Sequence, residues 1–253
     1  MHLPTIALLL LKQAALVDDL PPPNLAALQG SDGTVARLIE AHRLASLGQS
    51  ARDPVLLFAA ARLMQGITLR EVTRQTVDAA VVPATEPKPD TAKKPKKDAA
   101  TVVTPDVAAI TVVPDPARSA PLPGNLAPLA LMEAARIMLP EGDILRDAIA
   151  DAETETPPPG PVAQVTSLSQ DAGGNTTFSL PLAGQSYGEI GLLRLGAGHL
   201  AFKVTDAAGN PVCEDTSAGP SALCGIVPRE SGAFLVTITN DGGDPAPYLL
   251  ITN

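Results

Sequence analysis

The run Thr156-Pro157-Pro158-Pro159-Gly160-Pro161 constrains the fold most, because its prolines cannot extend a helix or sit inside a sheet ladder. The chain changes character across it. Before it, the apolar residues are mostly Ala, Leu and Ile, and Phe58 is the only aromatic ring. After it come the other aromatics (Phe178, Tyr187, Phe202, Phe234, Tyr248) and both cysteines. Ala and Leu favour helix, whereas β-branched and aromatic residues favour strands. The expected class is therefore α+β in separate domains. A small N-terminal helical bundle carries a disordered Lys/Pro-rich insert, and an antiparallel, jelly-roll-like β-sandwich follows. The expected boundaries are an atypical signal or plain helix at 1–30, helical hairpins over 31–155 interrupted by the insert at 81–123, a hinge at 156–161, and the sandwich over 162–253.

The N-terminal part repeats itself. Pro54-Val-Leu-Leu-Phe-Ala-Ala-Ala-Arg-Leu-Met64 aligns without gaps on Pro128-Leu-Ala-Leu-Met-Glu-Ala-Ala-Arg-Ile-Met138. Each copy opens on a proline, which suits the first helical turn because the missing N–H would have no intrahelical acceptor there. Asp53 and Asn125 lie upstream as caps or turn formers. A looser relative runs from Ala36 to Ala45. The apolar spacing in all three predicts amphipathic helices packed as antiparallel hairpins over about 34–79 and 125–150. Two copies fall short of a solenoid, and similarity between two Ala-rich helices by chance stays open.

Between the copies, Glu86-Pro-Lys-Pro-Asp-Thr-Ala-Lys-Lys-Pro-Lys-Lys-Asp98 has no aromatic and no helical stripe. It reads as a solvated, polyproline-biased excursion: a flexible insert, or a basic tether to an anionic wall polymer or lipid. Ala100–Val103 and Ile110–Val113 could pair as strands, limited by Pro105 and Pro114. The whole chain carries a formal charge of −9. That balance argues against a general nucleic-acid binder, which needs a basic face. No apolar run is long enough for a membrane-spanning helix.

Met1-His2-Leu3-Pro4-Thr5-Ile6-Ala7-Leu8-Leu9-Leu10-Leu11 resembles a shortened export signal, but no Lys or Arg precedes it and Lys12 cuts it off. An amphipathic helix ending before Asp18-Asp19 fits as well. Cys213 and Cys224 shift the balance toward a periplasmic or extracellular location. They are the only cysteines and flank a Gly/Pro-containing loop, so neighbouring strands would close a disulfide. Such a bond persists only where thiols become oxidised. Two buried free thiols are the alternative. A zinc site is disfavoured, because His2, His42 and His199 lack the spacing of a four-ligand cluster.

From residue 162 the pattern alternates. Strands are expected at Thr177–Pro181, Glu189–Leu195, Leu200–Asp206, Pro211–Glu214, Leu223–Val227, Ala233–Thr239 and Tyr248–Thr252, separated by glycine turns such as Gly196-Ala-Gly198 and Asn240-Asp-Gly-Gly243. The run from Gly184-Gln-Ser-Tyr187 through Phe202-Lys-Val-Thr-Asp206, Cys213, Cys224 and Ser231-Gly232-Ala-Phe234 to Tyr248-Leu-Leu-Ile-Thr-Asn253 resembles the bacterial pre-peptidase C-terminal β-sandwich. The resemblance covers about 165–253. It implies a module of exported proteins with no universal catalytic set, so no functional residue is carried over. Relatives often hold a Trp between the second Cys and the following Pro, where this chain has Gly225-Ile226-Val227.

Three residue groups invite a chemical reading. Gly184-Gln185-Ser186-Tyr187-Gly188 matches the G-x-S-x-G pattern of serine hydrolases, with His199 as the one later histidine. That elbow needs a strand–turn–helix, and here a strand is expected to follow. Asp206, Glu214, Asp215, Asp241 and Asp244 could gather at one end and hold Ca²⁺, but no EF-hand or repeat spacing supports this, and solvated turn carboxylates explain them better. Arg62 and Arg136 recur in the echo at positions suited to a helix surface or C-terminal dipole rather than to a substrate. His42 sits in the helical stripe. No catalytic, cofactor or metal residue is assigned. The expectation is a non-enzymatic exported protein with a helical interaction module and a binding or stabilising sandwich. Its partner would be an envelope protein or glycan. The alternatives are a chaperone-like peptide binder and, further off, a hydrolase built on Ser186.

Overall fold

A computed structural model describes residues 22–28, 33–77, 126–158, 160–196 and 198–253. The readings placed on residues 1–21, on Asn125 and on the insert at 81–123 lie outside them. In chain order the elements are β1 (Ala27–Leu28), α1 (Thr34–Ala51), α2 (Pro54–Met64), β2 (Thr68–Glu71), β3 (Thr76–Val77), α3 (Pro128–Met138), α4 (Ile144–Thr154), β4 (Val162–Gln170), β5 (Asn175–Leu182), β6 (Gly188–Arg194), β7 (Leu200–Asp206), β8 (Pro211–Asp215), β9 (Ser221–Val227), β10 (Gly232–Asn240) and β11 (Ala246–Thr252). The helices stay in the N-terminal half and the long strands in the C-terminal part, so the α+β class holds.

Strands β4 to β11 form two antiparallel sheets, β9-β6-β11-β4 and β5-β10-β7-β8. This is the eight-strand jelly-roll order. One strand more is present than the alternation predicts: Val162–Gln170 is rich in Ser and Gln, which weaken its strand signature. Between the sheets lies a core of Phe178, Ile190, Leu192, Phe202, Phe234, Val236, Tyr248 and Leu250. The echo is borne out as two helices, α2 and α3, each with proline in its first turn. Asp53 caps α2, its carboxylate accepting from the Val55 and Leu56 N–H groups.

The helical region expected over 34–79 ends early, at Met64. Gly66 takes φ +86° just after α2, in the left-handed region that suits glycine. Beyond it the β-branched run Ile67–Val77 joins both sheets. β2 pairs in parallel with β4, and β3 pairs with β5. At the other end of the half, β1 pairs with β9. The N-terminal half thus covers three of the four edges of the jelly roll. The fourth, β8, is blunted by Pro211, a bulge at Val204/Thr205 and the acidic Glu214 and Asp215.

The helices do not form a free-standing bundle. Val35, Leu38, Leu57, Met64, Leu131, Met132 and Ile149 share one core with Ala163, Val165, Leu193, Leu249 and Ile251 on the outer face of the β6/β11/β4 sheet. Strand β6 is consequently buried along its whole length. Its even residues Ile190 and Leu192 face the second sheet, and its odd residues Glu189, Gly191 and Leu193 face the helical side. Gly191 is required by closeness: a Cβ there would stand 2.4 Å from Val35 Cγ1. The proline run lies against this body, with the Thr68 N–H donating to Pro161 O at 3.0 Å.

One side chain ties helix to sheet. Glu189 is fully buried, and its carboxylate accepts from the Gly33 N–H (3.1 Å), the Val35 N–H (2.8 Å) and the Tyr187 hydroxyl (2.9 Å). Gly33, the residue capping α1, makes no side-chain cap bond of its own, so a carboxylate from 156 residues away satisfies the first turn. Replacing Glu189 with Ala would leave the buried Val35 N–H unpaired. Chemical denaturation of Glu189→Ala is expected to show a loss of about 1–3 kcal/mol; an unchanged midpoint would refute the tie.

Candidate functional site

Cys213 and Cys224 form the expected disulfide, with Cα atoms 6.0 Å apart. It joins β8 of one sheet to β9 of the other, pinning the one uncovered edge strand to the opposite layer. The two cysteines are eleven positions apart in sequence, a loop for which the chain-entropy account gives about 3 kcal/mol. Cys213→Ser/Cys224→Ser is expected to unfold about 3 kcal/mol earlier than the oxidised protein, and the native protein should show no titratable thiol before reduction.

The hydrolase motif is dismantled by its surroundings. Ser186 precedes β6 and His199 follows it, so seven strand residues separate their loops by about 20 Å. The segment after Ser186 is a strand, with no elbow helix. The loop has a bracing role instead: the Gly184 N–H donates to Ser231 Oγ, the Gln185 N–H to Pro228 O, and Gln185 Nε2 to Arg229 O. Gln185 carries the positive φ of 58° in this turn. His199 Nε2 lies 3.0 Å from Thr216 O, and Nδ1 lies 3.9 Å from Asp241 Oδ2.

The acidic turn residues do not all gather at one end: Asp215, Asp241 and Asp244 lie toward the Leu200 end of the sheet and Asp206 at the other. Asp206 ends β7, and Asp241 lies in the turn after β10, at the opposite end of the same sheet, because Asn240 pairs with Leu200 and Phe234 with Asp206. Glu214 lies opposite Lys203 on the sheet face, and Asp215 lies 3.9 Å from the buried Arg194. Among the described residues no group of three His, Cys, Asp or Glu side chains is placed to hold a metal ion. Asp206 is an anchor: its carboxylate accepts from the N–H groups of Asn24, Ala208 and Asn210 and from Asn210 Nδ2. Burial pushes its carboxyl up, and these hydrogen bonds outweigh burial and hold it below the usual range.

Arg62 and Arg136 sit in the last turns of α2 and α3 and pair with Glu155 and Glu133 respectively. Arg74 anchors the segment crossing between sheets, Nη2 donating to Thr252 Oγ1 at 3.0 Å; burial brings its guanidinium down to about 10. His42 is buried in α1, and desolvation pushes its imidazole below the ordinary value. The unfolded chain therefore binds more protons just below pH 6.5 than the folded one, so this contribution is complete above that pH and is lost on acidification. Thermal unfolding is expected to fall between pH 7.5 and pH 5.5, and to fall less in His42→Gln; parallel declines would exclude His42 as the cause.

What sequence spacing did not single out is the tip of the α3–α4 hairpin. Ile137 is 74% exposed, Met138 41% and Ile144 84%. They flank the five-residue turn Leu139–Asp143, braced by Arg146 Nη1 on Leu139 O and by the Asp143 carboxylate on the Leu145 N–H. Leu129, 66% exposed, lies two turns before Ile137 on α3. Three large apolar side chains are thus exposed around one turn, and exposed apolar side chains grouped in this way are suited to contact with another macromolecule. The aromatic rings are committed elsewhere: Phe178, Phe202, Phe234 and Tyr248 are buried, Phe58 packs on the helical core, and the Tyr187 hydroxyl is held by Glu189.

No protein-family profile and no curated protein matches the chain. Solved structures match its β-rich third. One is the pre-peptidase C-terminal domain of a collagenase from Bacillus anthracis, at 13% identity, covering 35% of this chain and 88% of that one, TM-score 0.29. Another is a periplasmic inhibitor of g-type lysozyme from Aeromonas hydrophila, at 12% identity, covering 36% and 84%, TM-score 0.29. A third is a family 35 carbohydrate binding module from Clostridium thermocellum, at 16% identity, covering 35% and 90%, TM-score 0.22.

Proposed function

We propose that this chain is an exported, non-catalytic binding protein, in which the jelly roll is the rigid mount and the tip of the α3–α4 hairpin is the surface a partner protein covers. The observation that carries the reading is the exposure of Ile137, Met138 and Ile144 around one braced turn. Aliphatic side chains held on short, fixed helices lose little freedom when covered, which favours association. The disulfide supports export, since such a bond persists in an oxidising compartment. Among the described residues no helix is long and apolar enough to cross a membrane. A protein partner fits better than a glycan, because four of the six aromatic rings are buried, Phe58 packs on the helical core and the Tyr187 hydroxyl is held by Glu189, which leaves no fully exposed ring as a stacking platform for sugar.

The test is site-specific photo-crosslinking in the native host. A photoreactive residue replaces Ile144 in one strain and the exposed Lys203, on the far sheet, in another. The expected outcome is a discrete crosslinked protein from position 144 and none from 203, with the chain in the exported fraction and its thiols oxidised. Equal products from both positions would sink the docking surface, and a cytosolic chain with two free thiols would sink export.

A further inference from the structure

The hairpin tip has a charge as well as an apolar surface. Between Glu141 and Glu155 the chain places six carboxylates and one cation, Arg146. That cation is half-buried and engaged with the turn, its Nη1 donating to Leu139 O. Two of the carboxylates are engaged, Asp143 in capping α4 and Glu155 with Arg62. Asp147 and Asp151 carry no ion pair among the described residues and are exposed. With Ile144 they fall at i, i+3 and i+7, so helical geometry puts them along one side of α4. The surface is thus an apolar knob of Ile137, Met138 and Ile144 bordered by a row of uncompensated negative charge.

We infer that the tip receives a cationic amphipathic helix of a partner protein, its apolar stripe on Ile137, Met138 and Ile144 and its Lys/Arg flank against Asp147 and Asp151. The inference rests on the docking reading given above and adds the chemical class of the partner. Two features select this occupant. Apolar contact through the adaptable Met138 side chain beside two isoleucines accepts many helical stripes, whereas the acidic border favours a basic flank and disfavours an acidic one. A second copy of the same surface is disfavoured on the same ground, since two such tips would bring like charges together.

The test uses the full, oxidised chain and two labelled peptides of equal length, an idealised Leu/Lys amphipathic helix and its Leu/Glu counterpart, followed by fluorescence anisotropy at about 150 mM salt, where the screening length is about 8 Å. The Leu/Lys peptide is expected to bind and the Leu/Glu peptide to bind at least about 10-fold more weakly, a difference of about 1.4 kcal/mol. Ile137→Ser/Ile144→Ser should weaken the Leu/Lys peptide by at least 10-fold with the thermal midpoint unchanged, because both side chains are exposed. Asp147→Asn/Asp151→Asn should weaken it several-fold and flatten its salt dependence. If the Leu/Glu peptide binds as well or better and the Ile/Ile variant abolishes that binding, the docking surface stands and the cationic partner is refuted. If the Ile/Ile variant binds both peptides like the native chain, the surface itself is refuted. Dimerisation seen by light scattering and lost in the same variant would make a second copy the occupant and overturn the inference.

Discussion

The carboxylate of Glu189 is the constraint on which the arrangement of layers depends. It sits on the strand that is buried on both faces, and a charge there is tolerable only if donors surround it. Those donors are the first-turn N–H groups of α1 and the Tyr187 hydroxyl. The dependence is mutual, because α1 lacks a cap of its own. Gly33 must lack a Cβ for the contact to exist, since one would stand 2.2 Å from Glu189 Oε2. Gly191, two residues further along β6, lets Val35 descend onto the sheet. Helix α1 is therefore fixed in position at both its polar start and its apolar face, and α2, α3 and α4 stack outward from it.

The same logic extends to the edges. A jelly roll left alone would offer four strand edges and one apolar outer face to solvent, each an invitation to pair or aggregate. Here β1, β2 and β3 cover three edges, and the helices cover the face. The remaining edge is dealt with chemically, by a proline, two acids, a bulge and a covalent bond to β9. The N-terminal half is accordingly part of the sandwich's stability, although its sequence reads as a separate helical unit.

Local signals were legible and long-range ones were not. The echo from Pro54 and Pro128 marked both helices to the residue, because proline, small residues and a 3.6-residue stripe all act within the segment. Leu200–Asp206 and the disulfide were equally readable from turn glycines and cysteine spacing. The parallel pairing of Thr68–Glu71 with Val162–Gln170 joins segments roughly ninety residues apart, and nothing local announces it. One signal for the helical cover was present. Ile190-Gly-Leu-Leu193 and Tyr248-Leu-Leu-Ile251 are continuous apolar runs rather than alternations, which is how a strand buried on both faces reads. The acidic turns and the G-x-S-x-G run could not be placed from sequence, because spacing along the chain says nothing about which end of a sheet a loop occupies.

The echo also bears on why the hairpin tip is apolar. Met64 and Met138 are equivalent, yet Met64 is 2% exposed and Met138 41%. Leu63 packs against the helical core, while its counterpart Ile137 faces solvent. The difference is positional: α2 lies between α1 and α3, whereas α3 is flanked by α2 and by the eleven-residue α4, whose outward side is acidic. Nothing in the packing of α3 requires isoleucine at 137, nor does the capping of α4 require it at 144, where Asp143 alone supplies the side-chain bond. Apolar side chains at positions the fold does not use, next to exposed carboxylates without an ion pair, are the features on which the proposed contact outside the chain rests. The hairpin that ends the helical layer is thus the place where the physical demands of folding no longer fix the choice of side chain.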